Sequence, residues 1–309
     1  MTTCTSRPGQ NRRSRGDRSV RTLGGVTDPV RIEIGGRPAA PLRAFVTAYT
    51  GFDLHGFPPG VHLGTPTHTL TAVMTFGDPL DIGLPAALSG TSGPYRSLVS
   101  GLMTRSVAIG HSGRQRGVKI SLTPLGARVV FGVPARELTD TVLPLDDLLG
   151  DLRPELDDRI AAAATWPRRF RVLDDVLSRA VTRTLRTRTR VLDVRPEVAE
   201  TWHRLVTADG GVRVSELAND LGWSRRHLSA RFREEFGLTP RTLARILRFQ
   251  RAVRLVAERD EPAWAEVSAE AGYADQAHLV RDWRDFTGHT PVSWLRGDVL
   301  VDGRPPAAG

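Results

Sequence analysis

The sequence predicts an α+β chain: a β-rich N-terminal domain, a helical linker, and an all-α C-terminal domain with two helix-turn-helix units joined by a long helix. Three observations predict it. A pattern recurs near the C-terminus with an offset of 51 residues: Leu228-x-x-x-Phe232-x-x-x-Phe236-Gly237-Leu238-Thr239-Pro240, then Leu279-x-x-x-Trp283-x-x-Phe286-x-Gly288-His289-Thr290-Pro291. Apolar residues at helical spacing run through 151–189 and 241–258. The N-terminal half instead alternates short β-branched runs with Gly and Pro clusters.

Taken in order, residues 1–28 form a basic tail, in which residues 1–25 carry Arg7, Arg12, Arg13, Arg15, Arg18 and Arg21 against Asp17 and few apolar residues; such composition predicts disorder. Residues 29–150 are the β-rich domain. Arg31–Ile34, Ala44–Thr50, Thr67–Thr75, Ser97–Arg105 and Val118–Thr123 read as strands, Gly56–Gly64 and Gly77–Gly93 as loops, and Gly126–Phe131 as a helix. Residues 151–193 turn helical. Leu152, Leu156, Ile160 and Ala163 give one apolar stripe, Trp166-Pro167 breaks it, and Phe170, Leu173, Val176, Leu177 and Val181 give another. Such a pair serves either dimerisation or packing on the preceding domain. Residues 298–309 read as a second tail.

The segment 194–297 carries the repeat. Val214, Leu217, Ala218 and Leu221 sit at i, i+3, i+4 and i+7 on one helix face. Gly222 suits a positive φ at the helix end, and Ser224 suits the N-cap of the next helix. Leu228 and Phe232 face back onto the first helix. In the second copy Val267 and Ala271 hold the inner face, with Ser268 where the first has Ala218. Gly272 makes the turn and Asp275 replaces Ser224 as the cap; this turn is one residue longer than the first. Between the copies, Arg241–Glu258 reads as one helix spanning about 27 Å at ~1.5 Å per residue. That length suits two recognition helices entering successive major grooves, spaced by ~34 Å on one face of DNA.

The run Gly272-Tyr273-Ala274-Asp275-Gln276-Ala277-His278-Leu279, followed by Arg281, Trp283, Gly288, Thr290 and Pro291, resembles the signature of the AraC/XylS transcription regulators. Trp283 stands where that family usually has Phe. The resemblance covers about a third of the chain, Val194 to Leu295. It implies a sequence-specific DNA-binding regulator, controlled by an effector at the N-terminal domain. Leu122–Arg128 with Gly132-Val133-Pro134 likewise resembles a sensor-like N-terminal domain of some such regulators; it implies no particular ligand. Most effector domains of the family are small β-barrels, and a related or mixed α/β arrangement is expected. The alternative is a ligand-independent regulator, controlled by abundance or by a protein partner.

The DNA-contacting residues then follow from the outward helix faces. In the first recognition helix they are Arg225, Arg226, Ser229, Ala230 and Arg233; the family's base-reading positions fall on Arg226, Ser229 and Ala230. Arg226 suits guanine O6 and N7, and Ala230 a thymine methyl. In the second they are Gln276, Ala277, His278, Val280, Arg281 and Arg284, with Gln276 suited to adenine, Arg281 to guanine or phosphate, and Arg284 to phosphate.

The charge distribution agrees. The 309 residues carry a formal net charge of +9 and a pI near 10.9. Residues 223–259 hold ten Arg against Glu234, Glu235 and Glu258, a local balance of +7, whereas 196–309 as a whole is at −1. Positive charge is therefore concentrated on the first recognition helix and the connecting helix, as a phosphate-facing surface requires. An Arg run taken alone is by default a solvated helix face.

Other functions find little support. Cys4 is the only cysteine, which excludes an internal disulfide and a cysteine zinc cluster. His62 and His68 lack a clear third ligand, and His278 and His289 lie inside the signature, where contacts to the turn are expected. Trp223, Trp264, Trp283 and Trp294 are expected in the core, and Trp166 in packing. No Gly-x-Ser-x-Gly, Gly-Lys phosphate loop or His-Glu-x-x-His occurs, so no enzyme, cofactor or metal is expected. No apolar run of 18 residues and no secretory h-region occur, so a cytoplasmic location without membrane contact is expected. Double-stranded DNA is the expected partner; a small-molecule effector, RNA polymerase and a second copy of the chain are further candidates.

Overall fold

The computed structural model describes residues 29–187, 192–259, 261–295 and 300–301. The expected N-terminal tail lies outside them. Strands β1 (Val30–Gly36), β2 (Val46–His55), β4 (Leu70–Thr75), β6 (Ser89–Gly90), β8 (Ser97–Ser100), β10 (Gln115–Leu122) and β11 (Thr141–Pro144) form a seven-stranded sheet in the order β1-β2-β10-β4-β8-β11-β6. Strands β3 (Gly60–Gly64), β5 (Leu80–Gly83), β7 (Gly93–Tyr95), β9 (Val107–His111) and β12 (Leu300–Val301) form a smaller sheet in the order β12-β3-β9-β5-β7. The helices are α1 (Pro124–Phe131), α2 (Ala135–Leu138), α3 (Asp146–Leu149), α4 (Leu152–Ala162), α5 (Trp166–Thr187), α6 (Pro196–Thr207), α7 (Val214–Asp220), α8 (Arg225–Phe236), α9 (Pro240–Ala257), α10 (Trp264–Glu270), α11 (Gln276–Thr287) and α12 (Pro291–Leu295).

The period of two along β10 sorts its side chains between two cores. Val118, Ile120 and Leu122 are buried on one face with Tyr49, Ala72 and Val99, opposite α1 and α5. Gln115, Lys119 and Ser121 point the other way, toward the smaller sheet, where Leu80, Ile82, Leu98, Met103 and Val107 make a second cluster. The antiparallel register carries that inner face across the large sheet as Thr50, Lys119, Val73 and Leu98.

Helix α5 covers the large sheet with rings rather than aliphatic chains. Trp166 lies on Gly51 and Phe170 on Gly36, where a Cβ would fall within 2.5 Å of the Phe170 ring. Phe170 also stacks on Tyr49 at 5.7 Å. Asp174 accepts from the Tyr49 hydroxyl at 3.0 Å and from the Ala39 amide at 2.9 Å. Burial, then that carboxylate, push the Tyr49 phenol well above its ordinary range. The apolar stripe of α5 is thus occupied by its own chain: Leu173, Val176, Leu177 and Ala180 are each at most 2% exposed.

Several strands differ from the sequence expectation. The strand expected over Ser97–Arg105 stops at Ser100, because Gly101 lies so close to the Leu138 carbonyl that a side chain cannot be placed there. The expected loops Gly56–Gly64 and Gly77–Gly93 contain β3, β5 and β6, and β7 begins at Gly93. β9 and β11 were not expected at all. These strands are two to five residues long, and pairing across the sheet rather than local pattern stabilises them. The helix expected from Gly126 begins two residues earlier, with Thr123 Oγ1 accepting from the Gly126 amide at 2.9 Å. His62 and His68 do not share a strand: His62 is on β3, and His68 lies before β4.

Hydrogen bonds join the β-rich half to the C-terminal helices. Thr139 Oγ1 donates to the Phe236 carbonyl at 2.7 Å, the Ser106 amide to the Phe286 carbonyl at 2.8 Å, and His68 Nδ1 lies 2.8 Å from Gln250 Oε1. Arg128 pairs with Glu235. Among the described residues no helix is long and apolar enough to cross a membrane.

Candidate nucleic-acid interface

Each helix-turn-helix unit is fixed by local chemistry that the sequence spells out. Ser224 Oγ accepts from the His227 amide at 3.1 Å and starts α8. Asp275 Oδ1 accepts from the His278 amide at 2.6 Å and starts α11. Gly222 and Gly272 turn at φ of 65° and 79°, and Gly237 and Gly288 end α8 and α11 in the left-handed region. We expect Ser224→Ala and Asp275→Ala each to cost about 1 kcal/mol (range ~0.5–2) in chemical denaturation. A change under about 0.3 kcal/mol in either would mean that tertiary packing alone sets that helix start.

The inward residues are as expected: Leu228, Phe232, Leu279 and Trp283 are fully buried. Trp202 of α6 stacks on Phe232 at 5.9 Å and tilts onto Phe236 at 4.4 Å. Its part in the first unit was not anticipated, since it lies outside the repeat. In the second unit Trp283 meets Phe249 edge-on at 5.2 Å and Trp294 at 5.1 Å. Trp223 and Trp264 are only half-buried. Ser268 is buried and bonds back to the Trp264 carbonyl at 2.7 Å, which accommodates its hydroxyl inside the core.

Helix α9 runs unbroken for 18 residues between the units. Its arginines divide by role. Arg245 bonds Asp282 and Asp285 of α11, Arg248 donates to the Gly210 carbonyl at 3.1 Å and lies over the Tyr273 ring, and Arg254 bonds Asp209. These three hold the units to the connecting helix, so the charge of that helix is only partly available to an outside anion. Arg241 and Arg251 make no ion pair among the described residues.

The two units open onto one groove of about 1080 Å³. Ser224, Arg225, Arg226 and Ser229 line it from the first unit, Gly272, Tyr273, Ala274 and His278 from the second, and Arg241 and Arg248 from α9. A neighbouring recess of about 480 Å³ adds Thr242 and Arg281. Of the residues expected to meet DNA, Arg225, Arg226, Ser229, His278 and Arg281 therefore lie on these two surfaces. Ala230, Arg233, Gln276, Ala277 and Arg284 are exposed on the same two helices but line neither concavity, and Val280 is half-buried. Arg213, which also lines the groove, was missed; it precedes α7, outside the repeated helices.

Arg225, Arg226, Arg233, Arg281 and Arg284 have no ion-pair partner among the described residues. Arg231, by contrast, is paired with Glu234 at 2.9 Å. The His278 ring packs edge-on against Tyr273 at 5.1 Å, and the His289 amide donates to Thr287 Oγ1. Burial raises the Tyr273 phenol well above its usual range. Among the described residues no three His, Cys, Asp or Glu side chains are grouped as a metal site requires.

A family model described as a helix-turn-helix domain matches residues 217–297. No curated protein matches the chain. Similar solved structures include ToxT from Vibrio cholerae, at 10% identity over 82% of this chain and 97% of that one, with a TM-score of 0.47. Another is the C-terminal domain of AraT, a response regulator from Geobacillus stearothermophilus, at 18% identity over 36% and 93%, with a TM-score of 0.32. A third is the AraC-like transcriptional activator CuxR, at 16% identity over 70% and 79%, with a TM-score of 0.27. With both units capped, turned and joined as the repeat predicts, and the family match covering residues 217–297, the C-terminal part of this chain is a helix-turn-helix domain of the AraC type.

Proposed function

We propose that the protein is a sequence-specific regulator that places α8 and α11 in adjacent major grooves on one face of the duplex, under control of an effector bound by the N-terminal domain. The observation that carries this reading is the separation of the arginines. Those facing the protein are paired, whereas Arg225, Arg226, Arg233, Arg281 and Arg284 on the two recognition helices are not. Unpaired guanidinium groups on the exposed sides of these two helices suit phosphate oxygens and guanine edges. In this assignment Arg226 reads guanine, Ser229 and Ala230 read neighbouring positions, and Gln276 reads adenine. Ala277, His278 and Val280 face the edges of the DNA major groove, Arg281 meets guanine or phosphate, and Arg225, Arg233 and Arg284 position the backbone. Effector control rather than control by abundance is favoured by the space left between the two sheets, about 230 Å³, where a filled core would otherwise be expected. RNA polymerase and a second copy of the chain are further partners within this reading.

The test is selection of bound sequences from a random duplex library by the full chain at two salt concentrations. Two short motifs about one helical turn, ~10 base pairs, apart are the expected outcome. A salt-sensitive affinity with no enriched motif would mean phosphate contact without base reading, and would overturn the assignment.

A further inference from the structure

Strand β1 is the outer strand of the seven-stranded sheet, and among the described residues no strand lies on its far side. Backbone N–H and C=O groups on that side are open to another extended chain, a situation that folded proteins ordinarily blunt with a bulge, a proline or an unmatched charge. Over Val30–Ile34 none of these is present. β1 follows β2 in unbroken register from Val30↔His55 to Gly36↔Tyr49. Its side chains are sorted by face. A Cβ on Gly36 would fall on the Phe170 ring, so Gly36 faces α5. The period of two then places Ile34, Ile32 and Val30 on that same face. The cover that Phe170 gives Gly36 does not extend to them: they are 38%, 41% and 37% exposed. Arg31 and Glu33 lie on the opposite face, bonded to each other at 2.6 Å. The five residues thus read alike from either end in apolar and charged class, with the two charges of opposite sign.

We propose that β1 is an interface between two copies of this chain, paired antiparallel about a two-fold axis at Ile32, so that the two large sheets become one continuous sheet. In this register Ile32 meets the partner's Ile32, Val30 meets the partner's Ile34, and Arg31 meets the partner's Glu33. The pairing is isologous, so each of the last two contacts occurs twice. Neighbouring registers fail on the same five residues. A shift by one sets Ile32 opposite the partner's Glu33 and mixes the two faces. A shift by two sets Arg31 opposite the partner's Arg31, or Glu33 opposite the partner's Glu33, and like charges directly opposite each other are destabilising. Of these registers, only the one centred on Ile32 gives every side chain a complement. Pro29 has no N–H to give and ends the pairing on its side.

The apolar residues of the two copies then make one strip on the α5 face, and the four charges alternate in sign on the other. Five residue pairs form a small interface, in the class below ~1,200 Å² that associates weakly, so a dissociation constant on the order of 10 μM is expected. The pairing rests on the sheet and not on the regulator reading, in which a second copy has no assigned surface. A dimer so joined carries two pairs of recognition helices.

The test is sedimentation velocity of the full chain without DNA from about 1 to ~200 μM, a span that brackets that constant. The unchanged chain is expected to pass from monomer to dimer. Ile32→Lys sets two ammonium groups on the axis, while Asp53, opposite on β2, compensates the new charge within each chain; it should stay monomeric and melt cooperatively. Arg31→Glu and Glu33→Arg each turn both cross-strand ion pairs into like pairs, and each alone should associate about tenfold or more weaker. Mixed one to one, the two variants should regain the affinity of the unchanged chain, because two acids of one copy then face two arginines of the other. Loss of fold cannot produce that rescue, so the mixture carries the comparison even if Ile32→Lys does not fold. An unchanged chain that stays monomeric throughout would overturn the proposal and leave the edge to residues 1–28 or to a strand of another protein. A dimer that survives Ile32→Lys, or a mixture no tighter than its components, would overturn it as well, by placing the contact on another surface or in another register. The library selection above reads DNA recognition separately, so failure here leaves that reading standing.

Discussion

Arg245→Met is expected to lower the stability of the C-terminal domain by about 3–5 kcal/mol, the cost of leaving a buried charge without its partner. The Asp282 side chain is 5% exposed and takes two contacts from Arg245, from Nε at 2.9 Å and Nη2 at 2.8 Å. Its second oxygen has no hydrogen bond, so the guanidinium is its main compensation. Arg245 also binds Asp285 at 2.7 Å and covers the Phe286 ring at 5.1 Å. The converse substitution should be milder. In Asp282→Ala the orphan is Arg245, which at 29% exposure can be rehydrated and keeps Asp285, and about 1–3 kcal/mol is expected. Urea denaturation of both variants measures the asymmetry. Equal losses, or a loss below about 1 kcal/mol in Arg245→Met, would mean that the aromatic cluster of Phe249, Trp283 and Trp294 fixes α11 on α9 without the ion pair. Functionally the pair matters because it sets the second recognition helix relative to the first, through the one rigid element they share.

The two halves of this chain were unequally legible, for a physical reason. Ser224, Asp275, Gly237 and Gly288 each act on backbone groups within four residues of themselves, so their effect can be read from a short window of sequence. The inward Leu228, Phe232, Leu279 and Trp283 follow from helical spacing in the same way. Strands β3, β5 and β9 are different. Gly60, Gly64, Gly83 and Gly110 dilute their alternation, and their partners lie up to about fifty residues away. Nothing local separates such segments from loops. Lys119 was visible as a lone lysine, yet only the register of β10 with β2 and β4 shows that it faces the inter-sheet cavity. The roles of the α9 arginines were hidden in the same sense. A run of Arg gives the charge; which of them reach Asp282, Gly210 or Asp209, and which remain for phosphate, depends on how α7, α10 and α11 fold back onto the helix.

The combined variant Arg226→Ala with Gln276→Ala should lose about 2–6 kcal/mol of specific DNA binding relative to the unchanged chain, as the sum of two base contacts worth ~1–3 kcal/mol each. Additivity is expected because the two side chains stand on different recognition helices, with no shared partner in the fold. Neither is used by the folded chain: both are exposed, and neither has an ion pair among the described residues. Truncation should therefore leave the melting temperature close to that of the parent. The loss should appear as relaxed preference at two positions of the operator, one per major groove, about a helical turn apart. Removing Arg226 also removes a cation, so nonspecific affinity should fall and the salt slope shrink by about one if that guanidinium meets a phosphate as well. Gln276→Ala should change selectivity with no effect on the slope. Competition binding against the selected operator and its single-base variants, at two salt concentrations, separates these terms. If Gln276→Ala leaves every base preference unchanged while Arg226→Ala does not, only α8 reads sequence, and α11 serves as a backbone clamp held at its distance by α9.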